Sequence, residues 1–437
     1  MEEQRQSICL LNDSFPPLID GVANTVVNYA SILPEGKYSS LVVVPSNPDA
    51  DDSGFPYPVV RYPSIDLRKQ IGYTAGNPFL PKTVLNLKSH NIALVHSHCP
   101  FASNYLARGI REQYGVPLVM TYHTKFDIDI ANAVRGKLFQ QGAIKALVES
   151  VSAVDELWVV SNGAGENIRQ LGYEGDYVVM QNGVDMPKRR ATEQEVAYAT
   201  RGYDLPADVP VFLFVGRLMW YKGLKIIIDA MKALKSQDLD FRMVFIGGKG
   251  DEAEVKAYVE EQGLSKKCLF TGAIHDRSAI AAWYTRADLF LFPSTYDTNG
   301  LVVREAAACS LGTVMVGGSC AAEGVTNGVN GLFIEENAAS LAVCLARVMG
   351  NRDFLRKLGA RASDDLYLSW HDAVQKAEER YEIVIDHYKC GIFNKRRDIA
   401  DEMYIFRSEL FEAYEKMEER KKRLEEHLDD NFLLTGR

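Results

Sequence analysis

VFLFVGRLMWYKGLKIIIDAMKALK, residues 211–235, decides the fold. It opens on an unbroken apolar run, turns at Gly216, carries Arg217 and Lys222 through a loop closed by Gly223, and continues in a helical pattern of apolar and charged residues. A strand that is apolar throughout, without alternation, needs cover on both faces and so belongs to a parallel sheet between helices. The same unit repeats downstream in FRMVFIGG, DEAEVKAYVEEQG, CLFTG, AIAAWYTRA, DLFLFP, GLVVREAAACS and GTVMVG. Upstream, beyond the polar stretch MPKRRATEQEVAYATRGYDLPADVP, it recurs in ICLLN, GVANTVVNYASIL, LVVVP, IALVHSH, FASNYLARGIREQYG, PLVMTYH, ELWVV and DYVVMQNG. The expected fold class is therefore α/β: two Rossmann-like domains in tandem, with a boundary near residues 186–187 and a ligand crevice at the carboxyl ends of their strands.

Composition agrees with two globular domains and excludes several functions. The chain has 437 residues, 47% hydrophobic and 24% charged, which is too long for one typical core. A formal net charge of −9 supplies no basic face for phosphate backbones, so no nucleic-acid partner is expected. The start, MEEQRQSICLLND, lacks a signal-peptide core, and no apolar run approaches the roughly 20 residues that span a bilayer, so a cytoplasmic location is expected. Seven cysteines without a CxxC pair sit in apolar settings such as ICLL and LAVCLA and read as reduced, small hydrophobes. Residues 391–437 read as a charged helical tail. There Leu410, Tyr414, Met417, Leu424 and Leu428 keep a 3–4 spacing broken by Lys421. That stripe admits two readings, a helix packed on the body or a short coiled coil joining a homo-oligomer.

Chemistry is expected at the strand ends. The first strand runs into NDSFPPLIDG, where Gly21 opens a helix whose bare amides can meet an anion, although a plain strand–helix turn looks the same. Arg217 and Lys222 beside Gly216 and Gly223 suit a diphosphate, one as a planar fork and the other as a compact charge; a solvated loop is the alternative. Residues 294–310, STYDTNGLVVREAAACS, follow the apolar DLFLFP, break at Asn299-Gly300 and become helical from Leu301. Gly300 permits close backbone approach, the helix start is positive, and Glu305 lies about one turn inside, where dipole complementation explains it equally well. His96 and His98 share one strand face and, with His123, make a three-histidine zinc site the rival reading, though no acidic partner adjoins them in sequence. Asp127 and Asp129 in FDIDI have a metal-like spacing but are expected on a solvated edge.

The ordered set FPPLIDGV, VHSHCPF, TYHT, QNGVD, FVGRLMWYKG, IGGKGDE, FTGAIHD and STYDTNGLVVREAAA resembles the retaining glycosyltransferases of family 4, over a span from about Ile8 to Tyr388. The resemblance implies the two-domain GT-B fold, with the first domain taking the acceptor, the second (residues 187–368) taking the donor, and a helix near 369–390 returning to the first. It implies a nucleotide-sugar donor, most plausibly a UDP-hexose, an acceptor hydroxyl on a lipid, sugar or glycan, and no obligatory metal cofactor. Carried onto this sequence, Arg217 and Lys222 hold the diphosphate, with help from Gly21 and the amides around Gly300 and Leu301. Glu305 meets the ribose hydroxyls, backbone at Ile274 meets the base, Asp297 faces the transferred sugar with Asn299 beside it, and His123 lies near the sugar and the acceptor. The family signature is two glutamates with seven residues between them. Asp297 and Glu305 keep that spacing, but the first glutamate is replaced by aspartate, one methylene shorter. That replacement keeps open a catalytically silent sugar-nucleotide binder, and an epimerase or hydrolase using the same diphosphate site on the same double-Rossmann body, without a second substrate, is a further alternative. Relatives that glucosylate diacylglycerol at the inner membrane face usually carry a basic first domain, because anionic lipid attracts Lys and Arg at about 1 kcal/mol each. Here residues 1–190 hold nearly equal numbers of basic and acidic residues, which weighs against peripheral membrane contact. The patch of Arg68, Lys69, Lys82 and Lys88 reads as a solvated face or a local docking point.

Overall fold

The structure, a computed structural model, describes residues 5–18, 20–66, 74–79, 83–84, 86–133, 136–248 and 250–393. The chain divides into two compact units. The first comprises Met1–Trp158, Ile168–Val178 and Gln375–Arg437, and the second Val159–Asn167 and Val179–Val374.

The first unit is built on strands β1 (Ser7–Leu11), β2 (Ser39–Pro45), β3 (Val59–Tyr62), β4 (Ser64–Asp66), β5 (Thr74–Gly76), β6 (Ile92–Ser97), β7 (Leu118–Tyr122), β8 (Glu156–Val159) and β9 (Tyr177–Val179). Seven of them form one sheet in the order β3-β2-β1-β6-β7-β8-β9, while β4 and β5 pair separately and antiparallel. The central pairs β1–β2, β1–β6 and β6–β7 are parallel, as their unbroken apolar runs require. Helices α1 (Gly21–Ile32) and α2 (Ala102–Tyr114) follow β1 and β6, and α3 (Phe126–Ala133) follows β7. FDIDI thus lies in a helix, where a solvated edge was expected, and Asp127 is half-buried there. The sequence reading also passed over β3, β4 and β5, which are short and only partly buried.

In the second unit, helix α4 (Glu193–Ala199) occupies the polar connecting stretch. Thr192 and Glu195 form a reciprocal capping box at its start. Six strands follow, β10 (Val211–Val215), β11 (Arg242–Ile246), β12 (Cys268–Gly272), β13 (Leu289–Phe292), β14 (Thr313–Val316) and β15 (Leu332–Ile334). Their order is β12-β11-β10-β13-β14-β15 and all five pairings are parallel. Chain order therefore reverses between β10 and β13, the topological switch at which ligands of doubly wound sheets bind. Helices α5 (Leu224–Lys235), α6 (Arg277–Arg286), α7 (Leu301–Ala308) and α8 (Arg352–Leu366) cover the sheet, and a single continuous apolar core contains β10, β11, β13 and β14.

The last described helix, α9 (Trp370–Lys389), has its residues from Gln375 onward in the first unit. There Tyr381 stacks on Trp158 with ring centroids 5.1 Å apart, Arg380 pairs with Glu156, and Glu382 accepts from Lys37 at 2.7 Å. These anchors explain why a charged helix holds its place: an aromatic stack supplies the apolar contact and ion pairs flank it. No helix among the described residues is long and apolar enough to cross a membrane, and all seven cysteines are free thiols. The tail stripe from Leu410 to Leu428, along with Arg68, Lys69 and Lys82, lies outside the described residues.

Candidate active site

The second unit brings together residues from the ends of its two switch-point strands. After β10 the chain passes Gly216 and Arg217 and makes a 3-10 turn over Trp220–Lys222 before α5 begins. Gly223 closes that turn at φ +77, and a Cβ there would sit 2.6 Å from the carbonyl oxygen of Pro293, the residue after β13. Only glycine meets both demands, and it lets the Lys222 turn rest directly on the loop from β13. Lys222 Nζ then donates to Asp297 Oδ1 at 2.8 Å, with the two side chains only 12% and 24% exposed. Ser294 Oγ donates to the other oxygen, Asp297 Oδ2, at 2.6 Å. Both oxygens of the shortened carboxylate are engaged, and its nearest charge is the cation expected to hold a diphosphate. Lys222 retains further N–H donors for an anion, since an ammonium has three. Arg217 is exposed, and its Nη2 reaches the Tyr221 hydroxyl at 3.3 Å; Tyr221 in turn packs on Tyr296 with centroids 4.5 Å apart.

Gly300 starts α7 in the left-handed conformation, φ +58, and no side chain caps the helix. A Cβ at Gly300 would come within 2.9 Å of Ala321 Cβ, so the backbone lies close against its neighbour. Leu301 is the first helical residue, and its end of α7 carries the positive end of the helix dipole. Asn299, just before, keeps both side-chain amide atoms buried and without a hydrogen-bond partner. An orphaned amide costs roughly 1–3 kcal/mol, which marks the position as one where a ligand group would restore lost bonds. Glu305 is held by two residues that sequence reasoning did not single out. Arg277 Nη2 donates to Oε1 at 2.7 Å and Tyr284 OH donates to Oε2 at 3.2 Å. Both come from α6, more than twenty positions away in sequence, and no local spacing signals them. Arg277 also donates to the Asp185 carbonyl at 3.2 Å. Burial alone would lower the Arg277 guanidinium, yet the Glu305 charge beside it leaves it above its ordinary value. The neighbouring Arg304 turns away and donates to the Leu366 carbonyl at 2.9 Å, a packing role between α7 and α8. Ile274 lies half-buried in the loop after β12, its side chain packed on the core.

The first unit holds the other expected positions. At α1 the helix start is not bare: the Asp20 carboxylate accepts from Val22 N at 2.9 Å and Ala23 N at 2.8 Å. That corrects the expectation for Gly21, because a capping carboxylate uses the amides an anion needs and repels the anion as well. The histidines cluster. His98 Nδ1 lies 3.0 Å from His123 Nε2, and the His96 and His98 rings are 4.0 Å apart. His96 spends both ring nitrogens on protein partners, Nδ1 on Tyr381 OH at 2.5 Å and Nε2 on Thr121 Oγ1 at 2.7 Å. The three rings therefore do not present a zinc ligand set, and no group of three metal-binding side chains occurs among the described residues. Burial lowers all three histidines, His123 to about 3, so the cluster is neutral. His98 Nε2 is buried without a partner.

Comparison with known proteins bears on the family and the fold. The model described as Glycosyltransferase Family 4 matches residues 19–187, and that described as Glycosyl transferases group 1 matches residues 200–365. An alpha-monoglucosyldiacylglycerol synthase from Acholeplasma laidlawii is 23% identical over 81% of this chain and 91% of its own length. A GDP-mannose-dependent alpha-mannosyltransferase from Corynebacterium glutamicum is 25% identical over 75% of this chain and 76% of its own. Among solved structures, sucrose-phosphate synthase from Thermosynechococcus elongatus superposes with a TM-score of 0.69 at 20% identity, covering 87% of this chain and all of the other. HepE from Anabaena, solved with UDP and glucose, gives 0.67 at 19% identity over 86% and 99%.

Proposed function

The chain belongs to the family 4 glycosyltransferases, enzymes of GT-B fold that use a nucleotide-sugar donor, and from that premise we propose that it moves a hexose from a UDP-sugar to an acceptor hydroxyl with retention at the anomeric carbon. The observation that carries the reading is the Lys222–Asp297 pair at 2.8 Å, because it joins the diphosphate cation to the sugar-facing carboxylate at the switch point of the sheet. Lys222 and Arg217 balance the charge that grows on the departing diphosphate, and the uncapped start of α7 adds its dipole; these fixed charges do what a metal ion does elsewhere, so no metal is required. Asp297 holds Lys222 in place and lies beside the sugar, while Glu305, oriented by Arg277 and Tyr284, keeps lone pairs for two ribose hydroxyls. His123, buried, neutral and paired with His98, belongs to the first unit, and its part in the reaction is the one the family resemblance implies.

The test is a product assay with UDP-glucose and GDP-mannose against a diacylglycerol, a free sugar and a glycan, read by proton NMR for the anomeric configuration of the product. An α-linked product from UDP-glucose supports the proposal, and a β-linked product overturns retention. Epimerised or hydrolysed donor without transfer favours the epimerase or hydrolase. The lipid acceptor has support from the diacylglycerol-glucosylating relative, and the GDP-mannose relative makes the nucleotide itself a point to be measured. Replacing Lys222 or Arg217 by Ala should lower kcat by about 10²-fold or more, the usual cost of a lost preorganised charge stabiliser. Unchanged turnover in both variants would remove the diphosphate assignment.

A further inference from the structure

At the other, amino-terminal ends of β10 and β13 lies a cavity of about 160 Å³ lined by Arg190, Arg286, Asp288, Ser310, Arg352 and Arg356. Four guanidiniums face it with one carboxylate. That carboxylate is already committed: Asp288 Oδ2 accepts from Val211 N at 2.9 Å, and it stands 4.0 Å from Arg286 and 3.8 Å from Arg352, too far for tight pairing. The guanidiniums are held mainly by carbonyl oxygens, Arg190 by Thr285 at 2.6 Å, Arg286 by Pro206 at 3.0 Å and Arg352 by Ala207 at 2.6 Å. Carbonyls fix their positions without neutralising them, and each guanidinium has five N–H groups, so donors remain. Burial is the main cause lowering both Arg190 and Arg286; Arg356 and Arg352 add to it more weakly, and Asp288 opposes it at both. The start of α8 forms one wall with Arg352 in its first turn and Arg356 just beyond; Asn351 caps that helix start by accepting from Phe354 N and Asp353 lies in the same turn, so the guanidiniums rather than the helix dipole supply the positive charge.

We infer that this cavity is a second anion site and that it binds a phosphate group, independently of the donor site. Arginine forks match phosphate oxygens two at a time, which a chloride ion cannot exploit. The volume lies below the roughly 300–1,000 Å³ of pockets for drug-sized ligands, so the occupant is inorganic phosphate, a phosphomonoester or the phosphate of a lipid headgroup. Asp288 leads into β13 and Ser310 follows α7, so a bound phosphate braces both ends of the segment that carries Asp297, Asn299 and Glu305.

The test uses the full chain in the Lys222→Ala background, which disables the diphosphate site whatever nucleotide that site takes. Sodium phosphate is titrated against chloride at constant ionic strength and the unfolding midpoint is followed; the same proteins are floated with phosphatidylglycerol and with phosphatidylcholine vesicles. Arg356→Glu is the probe variant, because its side chain is 76% exposed with Asp353 at 3.6 Å and the fold does not depend on it. A saturable phosphate-dependent rise in Tm that Arg356→Glu abolishes and Arg356→Lys weakens assigns the site to free phosphate or a phosphomonoester. Flotation with phosphatidylglycerol alone, lost in Arg356→Glu, assigns it to a headgroup. Equal behaviour of the two proteins in both arms, or no response in either arm, overturns the inference.

Discussion

At the residue scale, Asp297 and Glu305 keep the family spacing but have different partners, and so different jobs. Glu305 is tied to Arg277 and Tyr284, and under the proposed function it meets the ribose, a part of the donor that does not change during the reaction. Glu305→Gln should raise the donor KM about tenfold or more with kcat little changed, since a hydrogen bond to a charged group is worth roughly 1.5–3 kcal/mol. Arg277→Ala should do the same by freeing the carboxylate to move. Asp297 is held by Lys222 and Ser294, and under the proposed function it faces the transferred sugar, so Asp297→Asn should lower kcat more than it alters donor binding. Steady-state kinetics on the three variants decide this, and a kcat loss in Glu305→Gln with a pure KM effect in Asp297→Asn would exchange the assignments. The histidines give a second prediction. His123 falls from an ordinary 6.5 to about 3 through burial, and His96 and His98 are lowered for the same reason. An unfolded chain takes up protons at these positions below about 6.5 while the fold refuses them until well below that, His123 until about 3, so stability is full above pH 6.5 and declines as pH falls below it. Each histidine contributes a slope of up to about 1.4 kcal/mol per pH unit. Urea midpoints measured from pH 7 to pH 4 should fall, and replacing His98 by Asn should flatten the curve.

At the element scale, two helix starts that look alike in sequence separate. Both follow an apolar strand and open on glycine, yet α1 is capped by Asp20 and α7 has no side-chain cap. A short carboxylate placed one residue before the helix turns back onto its amides, whereas Asn299 before Gly300 sits buried with its amide unpaired. The anion-ready end is therefore that of α7. Gly300→Ala tests its geometry: a left-handed alanine costs about 1–2 kcal/mol, and the added methyl meets Ala321 at 2.9 Å. The variant should unfold at lower urea and lose kcat/KM toward the donor, and wild-type values in both would show that the α7 start tolerates a side chain. The sequence made the existence of most strands and helices legible because both-faces-covered strands are apolar without interruption. It did not reveal β3, β4, β5 or β15, whose three or four residues carry too little pattern, nor the helix at FDIDI or α8.

At the scale of the whole molecule, the two units carry separable chemistry. The proposed donor-site residues Arg217, Lys222, Asp297 and Glu305 lie in the second unit and the buried histidines in the first. Ligand binding stabilises only the cooperative unit that makes the contacts. UDP should therefore protect amides of β10, β13 and α7 in hydrogen exchange, while acidification toward pH 4 should first expose those of β6 and β7. Protection by UDP confined to the first unit would contradict the placement of the donor site.

Sequence alone determined the fold class, the two-part organisation and the candidate list at the strand ends, because strand burial, glycine turns and charge type are local properties written in consecutive residues. Only the tertiary structure decided which candidates meet. Arg277 and Tyr284 reach Glu305 across 28 and 21 positions, Lys222 reaches Asp297 across 75, and Tyr381 reaches His96 across 285. Such pairs form when strands distant in sequence become neighbours in a sheet, and a hydrogen bond depends on that distance in space, which no spacing along the chain encodes.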